Sequence, residues 1–178
     1  VEGRRRLIEF CREHGVPHDI CGKIIVATSA AEIPAMEKIL ENGKNNGVEG
    51  MERLDEKGIA EIEPHCRGVA GLWVPGTGIV GFAAVAEKMA EVFRSTPGHE
   101  TWLNCEVQTL RQVGPAMEVG TNRGVVRAKH VIACGGLQCD RLSEAGGLPT
   151  PHRVVPFRGD YYELSERGHK KVRNLIYP

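Results

Sequence analysis

Residues 131–141, VIACGGLQCDR, combine two residue types that can do chemistry: a pair of adjacent glycines and a cysteine on each side of them. Glycines after an apolar run let the backbone approach a ligand's sugar or phosphates, because no β-carbon stands in the way. A cysteine can act as a nucleophile or as a metal ligand. The residue types alone leave three interpretations open: a nucleotide contact, a thiol site and a plain turn.

The spacing of the candidate ligands argues against metal binding, and we predict no metal site. His14 and His18 have the i, i+4 spacing of a helical metal pair, but a glycine and a proline between them break the helix that the pair would need. Cys134 and Cys139 are separated by an interval that does not suit a zinc knuckle. A cysteine nucleophile needs a base beside it, and the sequence identifies none, so unreactive cysteine is the default.

A second stretch, VVPFRGDYYEL at 154–164, places Arg158 and Tyr161 on a predicted extended segment. Arginine can hold a substrate carboxylate through two parallel hydrogen bonds, and tyrosine adds a neutral donor. The alternative is a surface arginine paired with Asp160 or Glu163. Both interpretations stay open at the level of the sequence.

The composition is that of a globular chain without a charge preference. In its 178 residues, 23 basic side chains balance 23 acidic ones, so the formal net charge is zero. That balance argues against nucleic acid as the main partner, because phosphate binding needs a basic surplus. No apolar run approaches the roughly 18 residues of a membrane span. The six cysteines include no C-x-x-C pair, which favours free thiols in a reducing cytosol or organelle matrix.

Hydrophobic periodicity and capping signals predict the elements that position these residues. Helices are predicted over 2–14, after Ser29 to about 45, and over 56–62, 82–94 and 138–145. Ser29 and Glu32 form a capping box, and Asp55 caps the third helix. The fourth helix has a predicted buried stripe of Val85, Met89, Val92 and Phe93. Strands are predicted over 23–28, within 68–80 and 101–113, in a hairpin over 116–128, over 130–136 and near 174–177.

Taken in order, these segments resemble the middle of the L-2-hydroxyglutarate dehydrogenase/oxidase family, flavoproteins of the D-amino-acid-oxidase-like group. The similarity lies in CGKIIVAT (21–28), EIEPHCRGVAGL (61–72), TGIV (77–80), VIACGGLQCDRL (131–142), VVPFRGDYYEL (154–164) and LIYP (175–178). Two features depart from the family. The N-terminal G-x-G-x-x-G loop is absent, and Gly81 stands where an aspartate commonly follows TGIV. We therefore expect an internal fragment that is inactive by itself.

The resemblance implies an α/β to α+β fold in which a partial FAD/NAD(P)-binding-type domain is interleaved with a mixed-sheet substrate domain. Residues 1–15 and 82–148 correspond to the FAD-binding domain, without its N-terminal Rossmann unit. Residues 16–81 and 149–178 correspond to part of the substrate domain.

The resemblance also implies ligand contacts for particular residues. The strand that holds CEVQTL offers a backbone group to the adenine, which points to Val107. The ACGGL segment lies along the adenosine and pyrophosphate of FAD, which points to Ala133, Cys134, Gly135, Gly136 and Leu137. Arg158 and Tyr161 are expected on the substrate side, and no catalytic base is identified.

The activity implied by the resemblance is the FAD-dependent oxidation of L-2-hydroxyglutarate to 2-oxoglutarate by hydride transfer to the flavin. The partners would be a small dicarboxylate substrate and an electron acceptor, either a quinone or oxygen. The location would be cytoplasmic, or mitochondrial in a eukaryote, with peripheral contact to an inner membrane left open. The alternatives are a related FAD oxidase of amines or amino acids such as glycine or sarcosine, and a truncated module without catalysis.

Overall fold

The computed structural model describes residues 1–148 and 150–178. Its α-helices in the described residues are α1 (Glu2–Glu13), α2 (Ile33–Asn45), α3 (Glu56–Ile62), α4 (Phe82–Ser95), α5 (Cys139–Ala145) and α6 (Glu166–His169). Its strands are β1 (His18–Asp19), β2 (Lys23–Ala27), β3 (Glu52–Leu54), β4 (Ala70–Val74), β5 (Ile79–Val80), β6 (Val107–Val113), β7 (Ala116–Thr121), β8 (Gly124–Ala128) and β9 (Leu175–Tyr177). The mixed helix-and-sheet class predicted from the sequence is confirmed.

The chain divides into two units, which are described separately. Unit one comprises Val1–His99 and Glu163–Pro178, and unit two comprises Glu100–Tyr162. The predicted cofactor and substrate halves follow different boundaries from these two units, and they stay a prediction.

The main sheet of unit one has the strand order β3-β4-β2-β9. Strand β4 pairs antiparallel with both β2 and β3, whereas β9 pairs parallel with β2. Apolar side chains alternate to both faces of β2, where Ile24 and Val26 contact Ile59 of α3, and Ala27 joins the cluster around Met36 of α2. The buried side chains on the two faces make this sheet the core of the unit.

Trp73 of β4 covers Gly22, the residue just before β2. Gly22 has φ +80°, and a β-carbon there would collide with the indole ring, whose Cζ3 would lie 2.9 Å away. Both the backbone angle and the close approach of the ring require glycine at this position.

Glu63, which follows α3, lies completely buried and holds the approach to β9. Its Oε1 accepts hydrogen bonds from the backbone N–H groups of Arg173 (2.9 Å) and Asn174 (2.5 Å). The side-chain amide of Asn174 in turn donates to the backbone carbonyl of Cys21. This network connects α3 and the start of β2 to the C-terminal strand, which lies more than 100 residues further along the sequence.

Helices α1 and α4 enclose a small second cluster built from Cys11, Val16 and Val85. The predicted buried stripe of α4 is only partly correct. Val85 is buried, but Met89, Val92 and Phe93 are between 39% and 49% exposed. The periodicity places these side chains on one face of the helix, and only the N-terminal part of that face is covered by described residues.

Local capping signals are confirmed at α3 and modified at α2. The Asp55 carboxylate accepts a hydrogen bond from the backbone N–H of Gly58 at 2.8 Å, as predicted. Before α2, Ala30–Glu32 form a single 3₁₀ turn. The Glu32 carboxylate accepts from the backbone N–H of Thr28 (2.7 Å) and from the Ser29 hydroxyl (3.1 Å). The glutamate therefore reaches back as in a capping box, but one residue further than predicted.

Unit two contains a three-stranded antiparallel meander, β6-β7-β8, with α5 packed on β6. The predicted hairpin turn is confirmed, since Thr121 pairs with Gly124 across Asn122 and Arg123. Glu118 in the central strand stands opposite Arg111 and Arg127, and it contacts both at 2.8 and 2.6 Å. These charge pairs bridge all three strands on one face of the sheet.

Candidate functional site

The glycine pair lies on an exposed turn that leads directly into α5. Gly136 begins a 3₁₀ turn over Gly136–Gln138 and has φ +53°, a left-handed conformation that favours glycine. An added β-carbon at Gly136 would meet no atom within 4 Å, so its surface is open. At Gly135, by contrast, a β-carbon would collide with the side chain of Leu142 from α5. The turn is therefore packed against α5 on one side and accessible on the other.

The sequence predicts a buried strand in HVIACGG (130–136), which leads into the turn, and that prediction is wrong. In the described residues it pairs with no strand, and Ile132 is 87% exposed. Ala133, Cys134 and Leu137 are exposed as well. The apolar run VIA favours a buried strand, but a strand forms only where another strand offers its backbone groups, and no described residue does so here.

Val107, the predicted adenine contact, begins β6 at the edge of the meander. It pairs with Thr121, and the register shifts between Val107 and Thr109, as at a β-bulge. Val107 and the glycine turn belong to the same unit, and α5, which backs the turn, packs on β6. Leu110 of β6 approaches Gly146 at the end of α5, where a β-carbon would lie 3.8 Å from its Cδ1.

These residues fit the approach of a large flat or extended ligand such as FAD. The turn offers glycine backbone with open space over Gly136, and no side chain of its own occupies that space. A nucleotide can lie close to such backbone because the β-carbons that would hold it away are absent.

Arg158 and Tyr161, predicted on the substrate side, lie on a segment over 152–164 that forms neither helix nor strand. The Arg158 guanidinium donates to the Asp160 carboxylate at 2.8 Å, and both side chains are exposed. Tyr161 is also exposed, and its ring lies beside Gly159. The pairing of Arg158 with Asp160 corresponds to the second interpretation of the sequence, and the described contacts do not join either residue to the glycine turn.

Asp140 belongs to the stretch VIACGGLQCDR, but the sequence pattern gives it no predicted role. Its buried carboxylate accepts hydrogen bonds from the backbone N–H groups of Val154 (3.3 Å) and Arg141 (2.8 Å). These bonds, led by the one from Val154, lower the pKa of the Asp140 carboxyl below its usual value. An aspartate in the first turn of a predicted helix was the available signal, but its distant partner could not be read from the sequence.

The histidines and cysteines form no evident reactive group in the described residues. All six cysteines are free, and Cys134 and Cys139 are exposed. The described residues contain no cluster of three or more metal-binding side chains. His18 makes a 2.9 Å hydrogen bond between its Nδ1 and the carbonyl of Val16.

Comparison with known proteins gives a family match over the whole chain. Residues 1–178 match the family described as FAD dependent oxidoreductase, DAO. A mitochondrial L-2-hydroxyglutarate dehydrogenase from Nematostella vectensis is 37% identical over 191 residues, which cover all of this chain and 42% of that protein. The L-2-hydroxyglutarate dehydrogenase of Escherichia coli strain K12 is also 37% identical, over 179 residues, with the same coverage. The chain thus spans about two fifths of the length of these relatives.

Solved structures share the fold at lower identity. L-proline dehydrogenase from P. horikoshii superposes with a TM-score of 0.71 and 18% identity, covering 84% of this chain and 40% of that one. L-α-glycerophosphate oxidase from Mycoplasma pneumoniae, solved with FAD bound, superposes with a TM-score of 0.69 and 22% identity, covering 82% and 40% of the two chains. Among the residues described for our chain, no helix has both the length and the apolar character needed to cross a membrane.

Proposed function

The chain belongs to the DAO family of FAD dependent oxidoreductases, and from that premise we propose that the full-length protein oxidises L-2-hydroxyglutarate to 2-oxoglutarate. The observation that carries the proposal is the identity of 34–37% across the entire chain to proteins named L-2-hydroxyglutarate dehydrogenase from animals and bacteria. In this reaction the hydrogen on the alcohol carbon leaves as a hydride, the hydroxyl proton goes to a base, and a carbonyl forms. Bound FAD supplies the acceptor for the hydride.

We assign the contacts with FAD to Val107 and to the segment Ala133, Cys134, Gly135, Gly136 and Leu137. The exposure of this segment and the open space over Gly136 support that assignment. The backbone of the turn would lie along the adenosine and pyrophosphate, and Val107 would offer a backbone group to the adenine. In the same proposal, residues 1–15 and 82–148 belong to the FAD-binding domain, and 16–81 with 149–178 belong to the substrate domain.

We assign the substrate side to Arg158 and Tyr161. A dicarboxylate needs cationic partners, and the guanidinium of Arg158 can bind a carboxylate in two parallel hydrogen bonds. Its present partner, Asp160, is exposed, and exposed ion pairs are weak enough for a substrate carboxylate to compete. Tyr161 would add a neutral hydrogen bond. The base that accepts the hydroxyl proton is left unassigned.

Electrons would leave the reduced enzyme to a quinone or to oxygen. Because relatives include both mitochondrial and bacterial proteins, we propose the mitochondrion as the location in a eukaryote and the cytoplasm in a bacterium. Peripheral contact of the full-length protein with the inner membrane stays open in this proposal.

Anaerobic flavin reduction tests the proposed reaction. The full-length holoenzyme is mixed separately with L-2-hydroxyglutarate, D-2-hydroxyglutarate, 2-hydroxybutyrate, glycine and sarcosine, and the loss of flavin absorbance is followed. We expect rapid bleaching with the L isomer alone, and a much slower reaction once the distal carboxylate is removed. Preferential reduction by glycine or sarcosine would replace the proposal with an amine-oxidase activity.

A further inference from the structure

We propose that Asp140 is a positioning residue. It anchors the start of the segment 152–164, which carries Arg158, to α5, and α5 is also the helix that supports the glycine turn. The proposal rests on the function proposed above, because it assigns the two segments to substrate and cofactor. Asp140 touches neither ligand in this scheme and acts through the backbone of Val154.

The geometry around Asp140 is that of a clamp on residues 153 and 154. The buried carboxylate accepts from the Val154 N–H at 3.3 Å and lies 3.9 Å from the Arg153 guanidinium. The same guanidinium contacts the Glu144 carboxylate one turn further along α5, at 2.8 Å. The buried Asp140 therefore holds the backbone of Val154, whereas the ion pair between Glu144 and Arg153 is exposed and adds little.

This clamp is the anchor closest to Arg158 in the described part of the segment. Beyond Val154 the side chains turn outward, with Val155 64% and Phe157 92% exposed. Arg158 and Asp160 form an ion pair with each other, and no side-chain hydrogen bond or ion pair joins either of them to a helix or strand among the described residues. The position of Arg158 thus depends on how residues 153 and 154 are held, four residues earlier in the chain.

Helix α5 also supports the glycine turn. Leu142 fills the space next to Gly135, and Asp140 lies two residues earlier on the same helix. A single rigid element therefore contacts both the predicted cofactor segment and the base of the predicted substrate segment. Loss of the Asp140 carboxylate should release the second segment while Leu142 still packs under the turn.

Two readouts on the full-length holoenzyme test the role of Asp140: amide hydrogen exchange over 153–160 and steady-state kinetics with L-2-hydroxyglutarate. The variants are Asp140→Asn, which keeps an oxygen acceptor for Val154, and Asp140→Ala, which removes it. Glu144→Gln is the matched control, since it alters an exposed partner of the same arginine.

We expect faster exchange over 153–160 in Asp140→Ala, and a KM raised about 10- to 100-fold, since small displacements of a positioning group have effects of that size. The kcat and the flavin content should change less than threefold. Asp140→Asn should recover most of both losses, and Glu144→Gln should resemble the wild type. A merely structural role would lower flavin content and kcat together, without recovery by asparagine.

Unchanged exchange over 153–160 in both variants, or faster exchange with an unchanged KM, would overturn the positioning role. Failure of the wild type to be reduced by L-2-hydroxyglutarate would instead contradict the proposed function, and the exchange measurement would still decide whether Asp140 holds the segment. If Asp140→Ala does not fold, Val154→Pro removes the N–H that donates to Asp140. Faster exchange over 155–160 with a raised KM in that variant would support the positioning role, and wild-type values would overturn it.

Discussion

Gly22 must be glycine for two separate reasons, which can be measured separately. Its φ of +80° places the backbone in the left-handed region, and the ring of Trp73 occupies the space that a β-carbon would need. Gly47, which follows α2, has φ +70° but open space around it. The two positions therefore share the backbone requirement and differ in packing.

We predict that Gly22→Ala destabilises unit one more than Gly47→Ala. The left-handed backbone costs alanine about 1–2 kcal/mol at either position, and displacement of the Trp73 ring adds about 1–3 kcal/mol at Gly22 only. Denaturant unfolding followed by circular dichroism gives both free energies. Equal losses for the two variants would show that the ring moves away without cost.

Substitution of Gly136 tests the proposed contact with the cofactor. Gly136→Ala should weaken FAD binding to the full-length protein by roughly tenfold or more, because a β-carbon at the proposed closest approach acts like overpacking of about 1–3 kcal/mol. Gly147→Ala is the control, since Gly147 also has a positive φ, +75°, and open space, but lies at the other end of α5. Titration of the apoproteins with FAD measures the affinities, and equal values for both variants would contradict the assignment of Gly136.

At the scale of single elements, the meander depends on a charge pattern that crosses all three strands. Hydrogen bonds from Arg111 and then Arg127 lower the pKa of the Glu118 carboxyl, because both favour its charged form. A carboxylate with a depressed pKa stabilises the fold above the pKa of the unfolded state, and that contribution disappears as the pH falls through the lowered value.

We therefore predict a pH-dependent effect of Glu118→Gln. At pH 7 the variant should unfold at a lower temperature than the wild type, by an amount on the order of a few degrees. The difference should persist down to the ordinary glutamate pKa of 4.5 and narrow below it. Glu106→Gln, an exposed change on the same unit, provides the control. A difference that does not narrow in acid would attribute the effect to packing rather than to charge.

Helices were predicted from the sequence better than strands, for a physical reason. The signals for α1, α3 and α5 lie within a few residues, such as the Asp55 carboxylate that accepts from Gly58. The segment 131–134 has the apolar character of a strand, but its pairing depends on a distant partner that no local pattern specifies. The stripe on α4 illustrates the same limit, since periodicity defines a face without showing what covers it.

The same difference between local signals and distant partners applies to the candidate site. The turn at the glycine pair, the short helix that follows it and the hairpin over 116–128 follow from short motifs and are present as predicted. Asp140 and Glu63 escaped prediction, because their partners lie 14 and more than 100 residues away, respectively. The ligand roles of Val107, Arg158 and Tyr161 come from the resemblance to the family, and they stay predictions.

At the scale of the whole molecule, Glu63 connects the two ends of unit one. The last strand returns after the whole of unit two and pairs with β2, and Glu63 fixes its entry through two backbone N–H groups. The second oxygen, Oε2, is buried and has no hydrogen-bond partner in the described residues. Among the described residues, Glu63 therefore makes its hydrogen bonds through Oε1 alone.

We predict that Glu63→Ala destabilises the protein by about 3 kcal/mol, since it removes the acceptor of two partly buried N–H groups, those of Arg173 and Asn174. Glu63→Gln should stay within about 1 kcal/mol of the wild type, because its amide oxygen can accept both hydrogen bonds. Exchange of the amides of 173–177 and denaturant unfolding measure the effect, with the exposed Glu61→Ala as the control. Equal stability of Glu63→Ala and Glu61→Ala would show that Glu63 does not hold the last strand in place.

The packing of Trp73 against Gly22 can be followed by tryptophan fluorescence. The chain has two tryptophans, and they fall in different units: Trp73 against Gly22 in unit one, and Trp102 beside the Arg123 guanidinium in unit two. Replacing either one with phenylalanine leaves a single tryptophan, whose selectively excited fluorescence reports on one unit. The half-buried Trp73 should emit at shorter wavelength than the more exposed Trp102, so emission during unfolding would reveal whether the two units melt together or one after the other.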